Sequence, residues 1–138
     1  MDTIKFDIYD RRKNVLVKKE RVTILINGVN LVKMIRDIEF ETAKGNKDLM
    51  ADYGNIYIYE LIEELDTYKN PTVLGCTCGV KDCSPLMVDV RETETTVLWE
   101  NFKHSAKRRK PVDYSTLKFE FNKEQYYEEV NALKQVIR

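Results

Sequence analysis

Apolar and polar residues alternate along several short stretches of the chain, and a period of two is the pattern of half-buried strands. The alternation appears first over residues 4–8, and a β-branched apolar run follows over 22–26. Short apolar runs and further alternation predict five more strands, at residues 15–17, 72–74, 86–91, 96–99 and 117–121. Because the strands at 86–91 and 96–99 are separated by only four polar residues, they predict an antiparallel hairpin.

Two other stretches repeat their apolar residues at helical spacing, about 3.6 residues per turn. The first predicts a helix near 31–39, where Asn30 can cap the first turn by accepting a hydrogen bond from a free backbone N–H. The second predicts a C-terminal helix near 123–136, where Asn122 and Gln125 have the spacing of a capping box. The apolar stripe of this second helix consists of Tyr126, Val130, Leu133 and Ile137.

The segment between these patterns gives weaker signals. Asn27-Gly28 is a strong turn signal, but the helical spacing that follows it argues against a simple hairpin. Residues 41–55 are polar and predict a long loop, residues 56–59 predict a strand, and residues 61–66 predict a short helix. Since the predicted strands outnumber the helices and follow one another in hairpins, the fold class is α+β with a largely antiparallel sheet.

Length and charge narrow the possible functions. The chain has 138 residues without an internal repeat or linker, which predicts a single domain over residues 1–138. Its 23 basic and 23 acidic residues balance, so no global polyanion-binding surface is implied. The N-terminus lacks an apolar signal core and no apolar run is long enough to cross a bilayer. We therefore expect a cytoplasmic protein without a membrane partner.

The densest group of charges is the basic run Lys107-Arg108-Arg109-Lys110. Such runs bind nucleic acid in some proteins, but a short basic run between strands is more often a solvated loop. We expect an exposed loop at these residues, and nucleic acid is not an expected partner.

All three cysteines lie in one short stretch with the spacing C-x-C-x4-C. Thiolates are good zinc ligands and a tetrahedral site needs four ligands, so Cys76, Cys78, Cys83 and His104 are one candidate metal set. A reactive thiol is a second interpretation, and packing around a strand and a tight turn is a third. We favour packing, because the spacing is not the usual C-x2-C zinc knuckle. The odd count is a poor disulfide framework and indicates a reducing compartment.

The remaining candidate groups have simple structural interpretations. His104, the only histidine, belongs to the basic stretch 101–112 and is expected in an exposed loop rather than beside a catalytic cysteine. Trp99 and Phe102 are expected in the core rather than in a recognition patch. One group of acidic residues at helical spacing is expected to form a solvated face: Glu60, Glu63, Glu64 and Asp66. No P-loop, dinucleotide-binding glycine motif or nucleophile elbow occurs in the sequence.

Three motifs follow one another in the second half of the chain: C-x-C-G-x-x-x-C from Cys76, W-x-x-F from Trp99 and F-x-F-x4-Y from Phe119. Together with Ile26-Asn27-Gly28 they resemble a family of small uncharacterised bacterial proteins. The resemblance implies a cytoplasmic bacterial protein and brings no established activity with it. Ser84-Pro85 departs from the family pattern, in which an aromatic residue often follows the last cysteine.

These observations predict a small non-catalytic binding or protein-interaction domain with a protein or small-molecule partner. No complete catalytic constellation is visible, and we assign no catalytic, cofactor-binding or metal-binding residue. A zinc-stabilised binding domain that uses the three cysteines and His104 is one alternative, and a thiol-dependent enzyme is the other. Bound metal would identify the first alternative, and a cysteine with a depressed pKa would identify the second.

Elemental analysis and thiol titration test the assignment of the cysteines. We expect three free thiols per chain and no stoichiometric metal, because a strand followed by a tight turn already accounts for the motif. The variant Cys78→Ser should then melt at nearly the same temperature as the wild type. One zinc per chain, lost together with stability in Cys78→Ser, would contradict this prediction.

Overall fold

A computed structural model of the chain describes residues 1–8, 20–42, 53–76, 85–104 and 113–136, apart from the side chains of Thr42 and Cys76. The strands are β1 (Ile4–Ile8), β2 (Val22–Ile26), β3 (Val29–Asn30), β4 (Tyr53–Asn55), β5 (Thr72–Cys76), β6 (Leu86–Glu92), β7 (Thr96–His104) and β8 (Phe119–Asn122). The helices are α1 (Leu31–Thr42), α2 (Ile58–Thr67) and α3 (Lys123–Val136). The predicted α+β class is confirmed.

The strands form two sheets in which all adjacent strands are antiparallel. The smaller sheet has the order β1-β2-β3, and the larger has the order β4-β5-β6-β7-β8. Two isolated bridges connect the sheets. Asp2, just before β1, pairs with Phe121 of β8, and Arg21, just before β2, pairs with Tyr57 beyond β4. Both edges of the larger sheet are therefore linked to the smaller one by backbone pairing.

The turn between β2 and β3 corrects one expectation from the sequence. Asn27 and Gly28 both have positive φ, 53° and 79°, as a two-residue hairpin turn requires. β3 is only two residues long, and α1 begins directly after it. A hairpin therefore does form before the helix. Asn30 then caps α1 as predicted, because its side-chain oxygen accepts the Val32 N–H at 2.9 Å.

The middle of the chain differs from the prediction in two places. Tyr53–Asn55, predicted as loop, forms β4. Residues 56–59, predicted as a strand, pair only at Tyr57, and Ile58 already begins α2. The helix forms there because Ile58 and Leu61 lie on one face and both reach the core. The predicted strand at 15–17 and the basic run at 107–110 lie outside the described residues.

Strand β7 is longer than its apolar pattern indicates. It continues through residues 101–104, which were predicted as loop. Asn101 has a φ of 56°, its side chain donates a hydrogen bond to Asp89 at 3.1 Å, and the register against β6 shifts at this point. This irregularity lets the strand pair onward to His104, which lies opposite Leu86. Because this extension consists mostly of polar residues, hydrophobic periodicity does not predict it.

One cluster of buried side chains contains residues from both sheets and all three helices. Trp99 is at its centre, is fully buried and pairs with Val90 across the β6–β7 hairpin, as predicted. Three rings meet the indole edge to face, with centroid distances of 5.7 Å for Phe121, 6.2 Å for Tyr126 and 6.5 Å for Phe102. Such aromatic contacts favour a single arrangement of the core.

The predicted C-terminal helix is confirmed as α3. Asn122 caps it by accepting the Gln125 N–H at 3.1 Å, but the Gln125 side chain does not return to complete a capping box. It instead donates to the Ile4 carbonyl at 2.7 Å and accepts the Ile4 N–H at 3.2 Å. The buried stripe consists of Tyr126, Val130 and Leu133, while Ile137 lies outside the described residues.

Substitution of Leu133 tests the contribution of α3 to stability. Because this side chain is almost fully buried, Leu133→Ala should lower the free energy of unfolding by about 2–5 kcal/mol. Chemical denaturation gives this value, with Asn131→Ala as the exposed control on the same helix. Equal stability of the two variants would contradict the packing of α3 described above.

Candidate binding groove

The described residues form a groove where the end of α2 and the residues after it meet β6 and α3. Its volume is about 630 Å³, within the range typical of ligand sites, about 300–1,000 Å³. We call it the α2–α3 groove. It is lined by Leu65, Asp66, Tyr68, Lys69, Val90, Arg91, Glu92, Tyr126, Tyr127 and Val130.

The floor of the groove is apolar. Leu65, Val90 and Val130 come from α2, β6 and α3, and all three pack against the core. The backbone after α2 is held to β6, because the Lys69 carbonyl accepts the Val90 N–H at 2.8 Å. This bond also brings Tyr68, which precedes Lys69, close to Arg91, which follows Val90. The floor is thus formed jointly by three elements of the core.

Three tyrosines form the aromatic part of the lining. Tyr68 is 50% exposed and Tyr127 is 37% exposed, whereas Tyr126 is buried. The Tyr126 hydroxyl accepts the indole N–H of Trp99 at 3.2 Å, and burial raises its pKa to about 12. The ring of Tyr127 stands perpendicular to that of Tyr126 at 5.2 Å between centroids. The lining therefore presents two partly exposed rings, and that of Tyr127 packs on the buried Tyr126.

Ion pairs surround the groove. Lys134 of α3 contacts Asp66 at 2.6 Å, and Lys123 contacts Glu92 at 3.7 Å. Arg91 donates to Glu100 at 3.1 Å, and Lys118 approaches the same carboxylate at 3.5 Å. The hydrogen bond from Arg91 is the main reason why the pKa of Glu100 lies below its ordinary value. Their side chains are 20–60% exposed, so solvent screens the pairs and they contribute more to local charge than to stability.

A second polar cluster lies inside the protein, between α1 and one end of the larger sheet. The Tyr114 hydroxyl donates to Glu39 of α1 at 2.8 Å, and both side chains are buried. Burial raises the pKa of Tyr114 above its ordinary value, and the neighbouring Tyr53 and Glu39 raise it further. The ring of His104 stands perpendicular to that of Tyr114 at 6.3 Å. Because Glu39, Tyr53 and Tyr114 are closed to solvent, we interpret the cluster as a tie between α1 and the sheet.

The cysteine motif is only partly within the described residues. The backbone of Cys76 ends β5 and pairs with Tyr53, whereas Cys78 and Cys83 lie outside the described residues. His104 was predicted in an exposed loop, and that prediction is wrong. It ends β7 and is half-buried, and its Nδ1 atom is buried without a hydrogen-bond partner among the described residues. Within those residues no group of three or more potential ligands is close enough to hold a metal.

Burial shows which of the other candidate site residues from the sequence belong to the core. Trp99 and Phe102 are in the core, as predicted. Glu64 is the exception to the predicted solvated acidic face, because it is buried and its Oε1 accepts the Thr72 N–H at 2.7 Å. Glu63 and Asp66 are exposed as predicted, and Glu60 is half-buried. Glu64 therefore satisfies the backbone at the start of β5 rather than contributing to a site.

Comparisons of the chain with protein-family models, with curated proteins and with solved structures find no match. Among the helices that the structure describes, none is long and apolar enough to cross a membrane. The α2–α3 groove is therefore the basis on which we assign a function.

Sequence reasoning missed most of this groove. Tyr126 was recognised as part of the stripe of α3, with Val130, but Tyr68, Lys69 and Arg91 fall in a break after a helix and at the end of a strand. The available signal is the aromatic residue Tyr68 directly after an amphipathic helix, since tyrosine is enriched at interfaces. This residue indicates a surface, but only the packing of α3 makes that surface a groove.

The raised pKa values of Tyr114 and Tyr126 predict how stability depends on pH. An unfolded tyrosine loses its proton near pH 10, while these buried hydroxyls keep theirs. The contribution of these two hydroxyls to the free energy of unfolding is therefore complete below about pH 10. It is lost as the pH rises, by up to about 1.4 kcal/mol per pH unit for each tyrosine. Denaturation curves of the wild type at several alkaline pH values should show this decline.

Phenylalanine variants assign the decline to these residues. Tyr114→Phe and Tyr126→Phe should each have a shallower loss of stability above about pH 10 than the wild type. Tyr59→Phe is the matched control, because Tyr59 is 54% exposed and should leave the slope unchanged. A wild-type slope in Tyr114→Phe would mean that this hydroxyl titrates normally in the folded protein.

Proposed function

We propose that the protein is a non-catalytic binding domain that takes up a segment of a partner protein in the α2–α3 groove. The observation that supports it most directly is the combination of an apolar floor, formed by Leu65, Val90 and Val130, with the exposed rings of Tyr68 and Tyr127. Tyrosine and arginine are enriched at the energetic centres of protein interfaces, and Arg91 also lines this groove.

The chemistry of the lining favours binding over catalysis. Neither histidine nor cysteine is among the groove residues, and Tyr126 keeps its proton because its pKa is raised. The groove carboxylates Asp66 and Glu92 are each paired with a lysine. General acid–base or nucleophilic catalysis needs a side chain whose pKa matches the operating pH and which lies beside the reacting atom.

The zinc-stabilised domain and the thiol-dependent enzyme are the alternatives. The first needs Cys76, Cys78, Cys83 and His104 together, and the second needs one of the three cysteines. Cys78, Cys83 and the side chain of Cys76 lie outside the described residues. The elemental analysis and thiol titration described above are the tests for them. Neither alternative would remove the groove, which is on α2, α3 and β6.

Chemical-shift mapping by NMR tests the proposed function, with small neutral N-acetylated peptide amides that contain leucine, phenylalanine or tryptophan as the probes. We expect the perturbed amides to cluster at residues 65–69, 90–92 and 126–130. The fluorescence of Trp99 should change in parallel for the leucine- and phenylalanine-containing probes, because its indole donates to Tyr126, which lines the groove. Trp99 is the only tryptophan of the chain, so the protein signal needs no deconvolution with those probes.

A pair of tyrosine variants gives the control. Tyr68→Ala should weaken binding about tenfold, since loss of an aromatic anchor costs about 1.4 kcal/mol or more. Tyr59→Ala removes a side chain of similar exposure that does not line the groove, and it should bind like the wild type. Perturbations spread over other surfaces, or equal weakening in the two variants, would show that the groove is not the binding site.

A further inference from the structure

The charges around the α2–α3 groove indicate what kind of segment it binds. We infer that the partner segment is acidic, with an apolar side chain on the groove floor and carboxylates next to Lys69 and Arg91. This inference rests on the proposed function and adds the chemistry of the partner to it.

The groove and its ion pairs carry an excess of positive charge. The four charged lining residues balance, Lys69 and Arg91 against Asp66 and Glu92. The excess comes from their ion-pair partners, Lys123, Lys134 and Glu100, together with Lys118, which shares Glu100 with Arg91. The whole set holds five cations and three carboxylates. Two of the carboxylates are neutralised one to one, Asp66 by Lys134 and Glu92 by Lys123. The two excess charges are therefore associated with Lys69 and with the group around Glu100.

At Glu100 a single carboxylate is shared by two cations. Arg91 donates its Nε–H at 3.1 Å, and Lys118 contributes the second contact at 3.5 Å. A guanidinium has five N–H donors, so Arg91 has further donors for a carboxylate of a partner. Its side chain is 58% exposed and is accessible from solvent.

Lys69 supplies the other cation. No carboxylate lies within ion-pair distance of it among the residues that the structure describes. Its backbone carbonyl accepts the Val90 N–H, and Val90 is adjacent to Arg91 in β6. Lys69 is therefore bonded to the residue that precedes Arg91, and both cations line the groove.

An acidic peptide matches the pair Lys69 and Arg91 better than a nucleic acid does. A phosphate backbone presents closely spaced charges, and a surface that binds it needs a corresponding series of cations. Here the other two charged lining residues, Asp66 and Glu92, are carboxylates already paired with lysines, so the lining offers no series of cations for successive phosphates. A peptide can place carboxylates at Lys69 and Arg91 only, and it supplies the apolar side chain that the floor requires.

Binding of short synthetic peptides tests the inference. One set contains glutamate and aspartate around a single leucine or phenylalanine, and a matched set replaces every carboxylate by its amide. We expect the acidic set to bind at least tenfold more tightly at low salt, and its affinity should fall as the salt concentration rises. Titrations followed by Trp99 fluorescence and by chemical shifts give the affinities.

Charge-reversal variants locate the interaction. Lys69→Glu should weaken binding of the acidic set at least tenfold and leave binding of the amide set within about twofold. Lys33→Glu makes the same change in net charge on α1, outside the groove, and should leave both sets unchanged. Both lysines are exposed, and the Lys33–Asp37 pair that the control loses is a solvated i,i+4 contact of small effect, so the two variants should melt at similar temperatures.

The outcomes separate this inference from the proposed function. Equal binding of the acidic and amide sets in the groove would overturn the inference and leave the binding groove in place. A free dicarboxylate such as succinate that binds as tightly as the acidic peptides would replace the protein segment by a small anion. Equal weakening by Lys69→Glu and Lys33→Glu would show a response to net charge rather than to the groove.

Discussion

The outer edge of β1 is the constraint on which the arrangement of the two sheets depends. β1 is the last strand of the smaller sheet, so the backbone groups that face away from β2 need partners. Gln125 bonds both the N–H and the carbonyl of Ile4, and Glu129 accepts the Phe6 N–H at 3.2 Å. Gln125 and Glu129 are four residues apart on α3 and face the same way, so side chains of the helix take the place of a further strand.

Through its other contacts, α3 also completes the core. Tyr126 is next to Gln125 in sequence, and its ring stacks on Phe121 while its hydroxyl receives the Trp99 N–H. α3 therefore connects β1 of the smaller sheet with β7 and β8 of the larger one. The contact of α2 with α3, including the Lys134–Asp66 pair, then places the end of α2 beside β6. The α2–α3 groove is a consequence of this placement and requires no strained backbone of its own.

Tyrosine has two different roles in this protein, and burial distinguishes them. At the end of the larger sheet, Tyr114 uses its hydroxyl to satisfy the buried Glu39 carboxylate. At the groove, Tyr68 and Tyr127 leave part of each ring exposed, where an apolar partner can cover it. A buried polar pair stabilises the fold because its groups are mutually satisfied, whereas an exposed aromatic face gains free energy only when a ligand removes it from water.

Local patterns were sufficient for much of the fold. Alternation placed β1, β6 and the start of β7, a β-branched apolar run placed β2, and helical spacing placed α3. The caps at Asn30 and Asn122 were also correct. Each of these depends on neighbours within a few residues. The extension of β7 to His104, the burial of Glu64 and the Tyr114–Glu39 pair were not predicted. The last of these joins residues 75 positions apart, and no periodicity records such a contact. The groove belongs to this second group. The backbone bond between Lys69 and Val90 brings Lys69 close to Arg91, and Tyr127 joins the lining only where α3 packs against β1 and the larger sheet.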